Sequence, residues 1–338
     1  MNVLAAKPEE PVGPAGDDAV RPFEVAAIDI RGRVIQMGPV LDAILARHEY
    51  PPAVARLLAE AVVLAVLLGS SLKFDGKFIL QTSTGGAVDM LVVEYRTSGA
   101  VRGYARFDAE AVAGAVARGE VLPGQLLGRG TLAMTVDQGR DTSRYQGVVP
   151  LEGESLEQVA HTYFRQSEQI PTRVRLAVAE MQVRENGALR RTWRAGGLLV
   201  QFLPKAPERM RLKDLPGGDR PEGLSTRPEP AEDDAWTEAQ SLVGTVQDDE
   251  LIDPAVPVET LLFRLFHERG VRVYRPGTVR DECSCSRERV RGVLNSFSAE
   301  EIDTSTEGGA ISVTCEFCGK KYAFDPAEFT SAKVVNGE

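Results

Sequence analysis

Four thiols govern what the C-terminal end of this 338-residue chain can become. The stretch "DECSCSRERV" carries Cys283 and Cys285 as C-x-C, "CEFCGKKY" carries Cys315 and Cys318 as C-x-x-C, and the sequence has no other cysteine. Zinc's closed structural sites take four ligands at tetrahedral geometry, and short spacers let one turn of backbone deliver two sulfurs. The 29 residues between the pairs suit a small fold around such an ion. "SRERVRGVLNSF" predicts a helix with Val290, Val293, Leu294 and Phe297 on one face, and Ser298 to Glu301 reads as a capping box opening a second. Gly308-Gly309 then turns the chain into "AISVTC", and Tyr322 and Phe324 alternate in a strand after the last cysteine. A module of this size would depend on its ion, because structural zinc binds with an apparent energy on the order of 10–16 kcal/mol.

The compartment bears on what the thiols do. The N-terminal "MNVLAAKPEEPVGPAGDDAV" has no apolar stretch like a secretion signal, so a cytoplasmic protein is expected, where cysteine pairs more often ligate or react than staple. The longest apolar run, "AVVLAVLLG" from Ala61 to Gly69, is half of the roughly 20 residues a membrane span needs and reads as the end of a buried helix. A net charge of −10 argues against a protein that clamps a phosphate backbone, so no nucleic-acid partner is expected. "RERVR" is basic, yet Glu288 within it favours a solvated helix surface.

The remainder predicts an α+β protein, since strands cluster with a few covering helices and no regular βαβ alternation appears. Residues 1–22 are read as a flexible tail and 23–204 as a core: a two-layer α/β sandwich with a largely antiparallel sheet. It contains a strand pair turning at Arg31-Gly32, two helices interrupted at Pro51-Pro52, and a meander through "KFILQTS", "DMLVVEYR" and "AVRGYARFD". A hairpin, a helix with Leu156, Val159, Ala160, Tyr163 and Phe164 on one stripe, and two closing strands complete it. Residues 205–276 form a helical linker whose first part, 205–234, is rich in proline and charge and is expected to be disordered. Residues 277–332 make the four-cysteine domain, and 333–338 a tail.

Other chemistry is sparse. His48, His161 and His267 show no catalytic or metal spacing, "TSTGGAVDM" reads as a hairpin turn, and no nucleophile motif is present. Arg287, Arg289, Arg291, Lys320 and Lys321 place positive charge near the thiols, which favours their ionised, oxidisable form. The residues alone leave three uses open: a redox switch, a static zinc ribbon that binds RNA or a protein partner, and a thiol oxidoreductase working through Cys315 and Cys318.

The arrangement resembles the heat-shock protein 33 family of redox-regulated chaperones, with C-x-C and C-x-x-C about thirty residues apart near the C-terminus. The resemblance extends through "HEYPPAVARLLAEA", "LKFDGKFILQ", "RYQGVVPLEGESLEQVAHTYFRQSEQIPTR" and "LLFRLFHERGVRVY" to "CSCSRERV" and "CEFCGKKYAFD". It implies an ATP-independent holdase, not an enzyme, that is inactive while reduced with one zinc ion per chain on Cys283, Cys285, Cys315 and Cys318. It further implies that oxidation pairs Cys283 with Cys285 and Cys315 with Cys318, after which the zinc leaves and the linker loses order. A bridge between neighbours i and i+2 distorts the backbone, since bonded cysteines need Cβ atoms about 3.8 Å apart, so the first pair is expected to reduce readily. Unfolding clients, a homodimer on activation and no nucleotide are implied as partners. Leu261, Leu262, Phe263, Leu265 and Phe266 of the linker are the candidate client surface, core-packed in the reduced state.

Overall fold

The structure, a computed structural model, describes residues 16–139, 144–185, 188–204 and 233–330. Most of the expected N-terminal tail, the stretch 205–232 and the tail 333–338 lie outside the described residues.

The first strand, β1 (Ala19–Val25), starts four residues ahead of the expected Phe23. Its early residues find partners the local sequence does not disclose: Ala19 and Val20 pair with Gln36 and Ile35 of β2 (Ile30–Met37). The turn between these strands falls at Ala26–Ile28, closed by Asp29 at φ 52°, and not at Arg31-Gly32. Gly32 sits inside β2 because a Cβ there would lie 2.3 Å from the Phe23 ring and 2.5 Å from the Leu199 carbonyl. Two proline-initiated helices follow, α1 (Pro39–Leu45) and α2 (Pro52–Gly69), with proline where its missing N–H costs nothing.

The meander is β3 (Lys77–Thr84), β4 (Val88–Arg96) and β5 (Ala100–Phe107). Two short helices not expected from the sequence come next, α3 (Ala109–Ala117) and α4 (Pro123–Leu127). Only Val112 and Ala115 of α3 are buried, too narrow a stripe to stand out. Then come β6 (Arg129–Asp137), β7 (Tyr145–Glu152), α5 (Leu156–Tyr163), β8 (Thr172–Glu185) and β9 (Ala188–Phe202). Beyond the undescribed stretch, Asp233 caps α6 (Asp234–Gly244), so the last two residues of the segment expected to be disordered, Asp233 and Asp234, are part of a helix and its cap. Helices α7 (Asp248–Ile252) and α8 (Val258–Phe266) lead to β10 (Arg272–Val273), β11 (Gly277–Thr278) and β12 (Arg280–Asp281). The C-terminal module holds α9 (Arg287–Leu294), α10 (Ala299–Thr304), β13 (Thr306–Glu307), β14 (Ala310–Thr314), β15 (Lys321–Phe324) and α11 (Ala327–Thr330).

The expected α+β class, largely antiparallel, is what the strands build. One six-stranded sheet runs β10-β1-β2-β9-β8 with β11 also on β1, and the other runs β12-β5-β4-β3-β6-β7. Every pair is antiparallel except β12 with β5. Helix α2 packs against strands of both sheets, and the main core includes its residues from Val54 to Leu68 except Arg56 and Glu60. That accounts for its even hydrophobicity: α2 is the one described helix long and apolar enough to cross a membrane, and it is enclosed by protein instead.

A second core lies on the opposite face of the first sheet. Phe23, Val25, Ile30, Val34, Leu198, Val200 and Phe202 are covered there by Trp236, Val243, Leu251, Val258, Leu261, Leu262 and Phe266 of the linker helices and their junctions. Phe266 packs on Phe23 with ring centroids 5.9 Å apart, and Trp236 stacks on Phe202 at 6.1 Å. Each such side chain contributes about 1.5–3 kcal/mol when buried, so the layer is held by apolar contact. Polar anchors fix its register. Gln36 Nε2 donates to the carbonyls of Asp253 and Val256 at 3.1 Å each, and Arg194 Nε to that of Ile252 at 3.1 Å. Gly196 lets α7 approach β9, since a Cβ there would stand 2.0 Å from the Leu251 carbonyl oxygen.

Candidate metal centre

Cys283 and Cys285 follow β12, at the point where the chain leaves the edge of the second sheet. Cys315 follows β14 directly and Cys318 precedes β15; Gly319 donates to the Cys315 carbonyl at 2.7 Å and Cys315 N–H to the Lys320 carbonyl at 2.9 Å. Gly319 occupies φ 68°, the left-handed region this tight turn requires and glycine enters without strain. Behind the sulfurs a small core of Leu294, Ile302, Ile311, Tyr322, Phe324 and Phe329 supports both loops, with Cys285 and Cys315 packed against it. The capping box is present: Ser298 Oγ accepts from Glu301 N–H at 3.2 Å, and Ser298 N–H donates to the Glu301 carboxylate at 2.6 Å. Val293, expected on the inner face of α9, is 59 % exposed, because the helix is anchored through Leu294.

All four Sγ atoms lie within 4.8 Å of one another, and all four cysteines are free thiols. Cys283 is 3.8 Å from Cys315, and Cys285 is 3.4 Å from Cys318. A tetrahedron with Zn–S bonds of about 2.3 Å has edges of about 3.8 Å. The cluster therefore fits a four-thiolate ion, and among the described residues it is the one group of three or more His, Cys, Asp or Glu placed to share a metal.

The thiols themselves call for a cation. Burial opposes ionisation of Cys285, but hydrogen bonds from Tyr322 (3.1 Å) and the neighbouring thiols bring it down to about 7. Burial pushes Cys318 up to about 12 against the Lys320 amide, and its sulfur neighbours add to the rise; Cys315 is raised too, chiefly by burial. Four thiolates this close repel one another; a divalent ion would offset that repulsion with its own charge and so hold the coordinated thiols in their ionised form.

The charge beside the sulfurs comes from an unexpected quarter. Arg289 donates to the Ser284 carbonyl, Arg287 to the Ala323 carbonyl, and Arg291 to Glu328. The guanidinium that reaches sulfur is Arg102 of β5, whose Nη1 lies 3.6 Å from Cys283 Sγ while Nη2 donates to Glu94 at 2.8 Å. Arg47 pairs with Asp281 beside the C-x-C loop. Nothing in the sequence marks these residues, since Arg102 and Cys283 are 181 positions apart and the arginine reads as an ordinary strand residue.

Of the linker stripe, Leu261, Leu262 and Phe266 are buried, Leu265 is half-buried, and Phe263 stands 62 % exposed. The histidines are scattered. His161 is half-buried and accepts the Val174 N–H on Nε2 at 2.8 Å; desolvation first, then Arg173, hold it at about 4. His48 follows α1 and touches the Glu316 carbonyl; His267 closes α8.

The sequence matches the family described as Hsp33 protein over residues 18–325. A protein of Caulobacter vibrioides named 33 kDa chaperonin is 47 % identical over 313 residues, 92 % of this chain and 95 % of that protein. Another 33 kDa chaperonin, of Pseudomonas paraeruginosa, is 38 % identical over 302 residues, 89 % of each chain. The crystal structure of a 33 kDa chaperonin, an Hsp33 homologue from Thermotoga maritima, superposes with a TM-score of 0.69 at 18 % identity, covering 94 % of this chain and all of that one.

Proposed function

The chain belongs to the Hsp33 family, and from that premise we propose that it is a redox-regulated, ATP-independent holdase. In this reading Cys283, Cys285, Cys315 and Cys318 hold one zinc ion while reduced, and the chain is then idle. The ion would supply a structural cross-link between the two cysteine loops. A peroxide oxidant converts two thiolates, with two protons, into one disulfide and two water molecules; the sulfurs lose two electrons and the O–O bond takes them up. Thiolates consumed in this way can no longer serve as ligands. Pairing of Cys283 with Cys285 and of Cys315 with Cys318 requires the cluster to rearrange, since bonded sulfurs lie about 2.05 Å apart.

Loss of the module would release the linker, because local unfolding draws first on the least stable elements. The sheet face under α6 to α8, and the stripe Leu261, Leu262, Phe263, Leu265 and Phe266, then become apolar surface for unfolding clients. Dimerisation on activation, independence of nucleotide and a cytoplasmic setting belong to the same proposal. The observation that carries it is a four-thiol cluster in a module continuous, through β10 to β12, with the helices that cover an apolar sheet face. The test is light scattering of a heat-denaturing client without nucleotide: the peroxide-treated chain suppresses aggregation and the reduced, zinc-loaded chain does not. Equal behaviour of the two forms would overturn the reading.

A further inference from the structure

The cysteine module is seated on the core through the two residues inside its C-x-x-C loop. His48 Nε2 lies 2.6 Å from the Glu316 carbonyl oxygen, and Arg47 Nη1 donates to the Phe317 carbonyl at 3.3 Å. The Arg102 guanidinium caps the Phe317 ring at 4.1 Å from its centroid, and its Nη1 simultaneously faces Cys283 Sγ at 3.6 Å. One side chain thus touches both cysteine motifs, a sulfur of the first and the aromatic residue enclosed by the second. Its other end is fixed by Glu94, whose carboxylate also binds Arg96, with the Arg102 side chain 16 % and that of Glu94 8 % exposed.

We propose that Arg102 is a positioning residue that couples the charge state of Cys283 to the docking of the cysteine module on the core. The proposal rests on the metal-centre reading above and names how that centre is sensed. Glu94, Arg96 and Arg102 together carry one excess positive charge, and it faces a four-thiolate site that stays negative even with a divalent ion. In a partly buried setting this attraction is screened far less than at an open surface. Oxidation of Cys283 and Cys285 by peroxide, balanced as above, leaves a neutral disulfide. Arg102 then faces no anion on the module side, and the Phe317 ring leaves with the loop that its flanking cysteines no longer shape. The excess cation that held the module becomes a desolvated charge without its counterpart, which favours undocking.

The test is hydrogen exchange of the full-length chain, read at Arg280 and Glu282, whose amides donate to Gly99 O at 2.8 Å and Val101 O at 3.1 Å where β12 joins β5. In the reduced chain Arg102→Gln is expected to raise exchange there by roughly three- to thirtyfold, the range of a cation–aromatic contact, with β3 and β4 amides unchanged. Arg102→Lys, which keeps the charge but not the planar fork that meets Phe317, Cys283 and Glu94 together, is expected to fall between the parent and Arg102→Gln. After peroxide treatment Arg102→Gln and parent should exchange alike. Equal exchange in the reduced forms would overturn the proposal, and so would a rise that persists after oxidation or spreads to β3 and β4, the mark of a merely structural arginine. Zinc per chain, measured on the same samples, tests the metal centre separately. A parent chain without zinc counts against that centre, while the exchange comparison still decides whether Arg102 seats the module.

Discussion

Arg21 of β1 and Glu259 of α8 form an ion pair of 2.6 Å in which the guanidinium is wholly buried, across 238 positions of sequence. Arg21 also donates to the Tyr274 carbonyl at 2.7 Å, so one core cation ties down both the last linker helix and the chain that follows it. Removing one partner of a buried pair leaves a desolvated charge, a loss of about 3–5 kcal/mol when both are enclosed. Because the Glu259 side chain is 24 % exposed, the expectation for Glu259→Gln is nearer ~2 kcal/mol. Amide exchange in α8 should accelerate in the reduced chain while the α2 core stays protected, and unchanged α8 protection would count against this anchoring role.

Phe263 and Phe266 share a helix and have opposite fates. Phe266 is fully buried against Phe23, so Phe266→Ala should cost about 3–5 kcal/mol in denaturant unfolding, from lost burial and the cavity left behind. Phe263→Ser should stay within about 0.5 kcal/mol in the reduced chain, as an exposed position does. If the stripe meets clients, Phe263→Ser should nonetheless weaken suppression of aggregation by the oxidised chain. Full suppression by that variant would remove Phe263 from the client surface.

Glu60, in the middle of α2, supplies a pH dependence. Burial pushes its carboxyl up to about 7 from the ordinary 4.5; Arg56 opposes the shift, and Glu157 and Asp248 add to it. The folded chain therefore holds this proton more tightly than the unfolded one. The resulting stabilisation is fully present below about pH 4.5 and is lost as pH rises through about 7. Glu60→Gln should leave stability near pH 4.5 almost unchanged and raise it by about 1–3 kcal/mol at pH 8. Equal effects of the substitution at both pH values would contradict this.

Metal removal without oxidation separates the ion's role from that of the disulfides. On the proposed function, a strong chelator under reducing conditions is expected to abolish slow amide exchange in β14 and β15, whose core of six buried side chains would lose the cross-link between its loops. Cys318→Ser should reproduce the effect in the absence of chelator. Persistence of slow exchange in the stripped chain would mean that the module folds on its own.

The thiol motifs and the helical periodicities were legible because each is a local pattern. Apolar and aromatic runs between turn residues placed β3 to β7 and the inner parts of β8 and β9, the apolar stripe placed α5, and Ser298 with Glu301 announced a helix start that the hydrogen bonds reproduce. What escaped depends on contacts distant in sequence. Gly32 looked like a turn because glycine usually marks one, whereas here it makes room for the Phe23 ring across the strand pair. Arg21 falls in the stretch read as a tail and Arg102 reads as a polar strand residue, and only the arrival of Glu259 and Cys283 gives them their roles. Val293 followed helical spacing but points away from the small core, since α9 is too short to bury a full stripe.

The most direct measurement follows one sample along a peroxide titration, recording zinc released to a chromogenic chelator, amide exchange in α8, and light scattering of a denaturing client. The account predicts a shared midpoint: metal leaves, α8 loses protection, and scattering falls together. Client protection with zinc still bound, or an α8 that stays protected after the metal has gone, would contradict it.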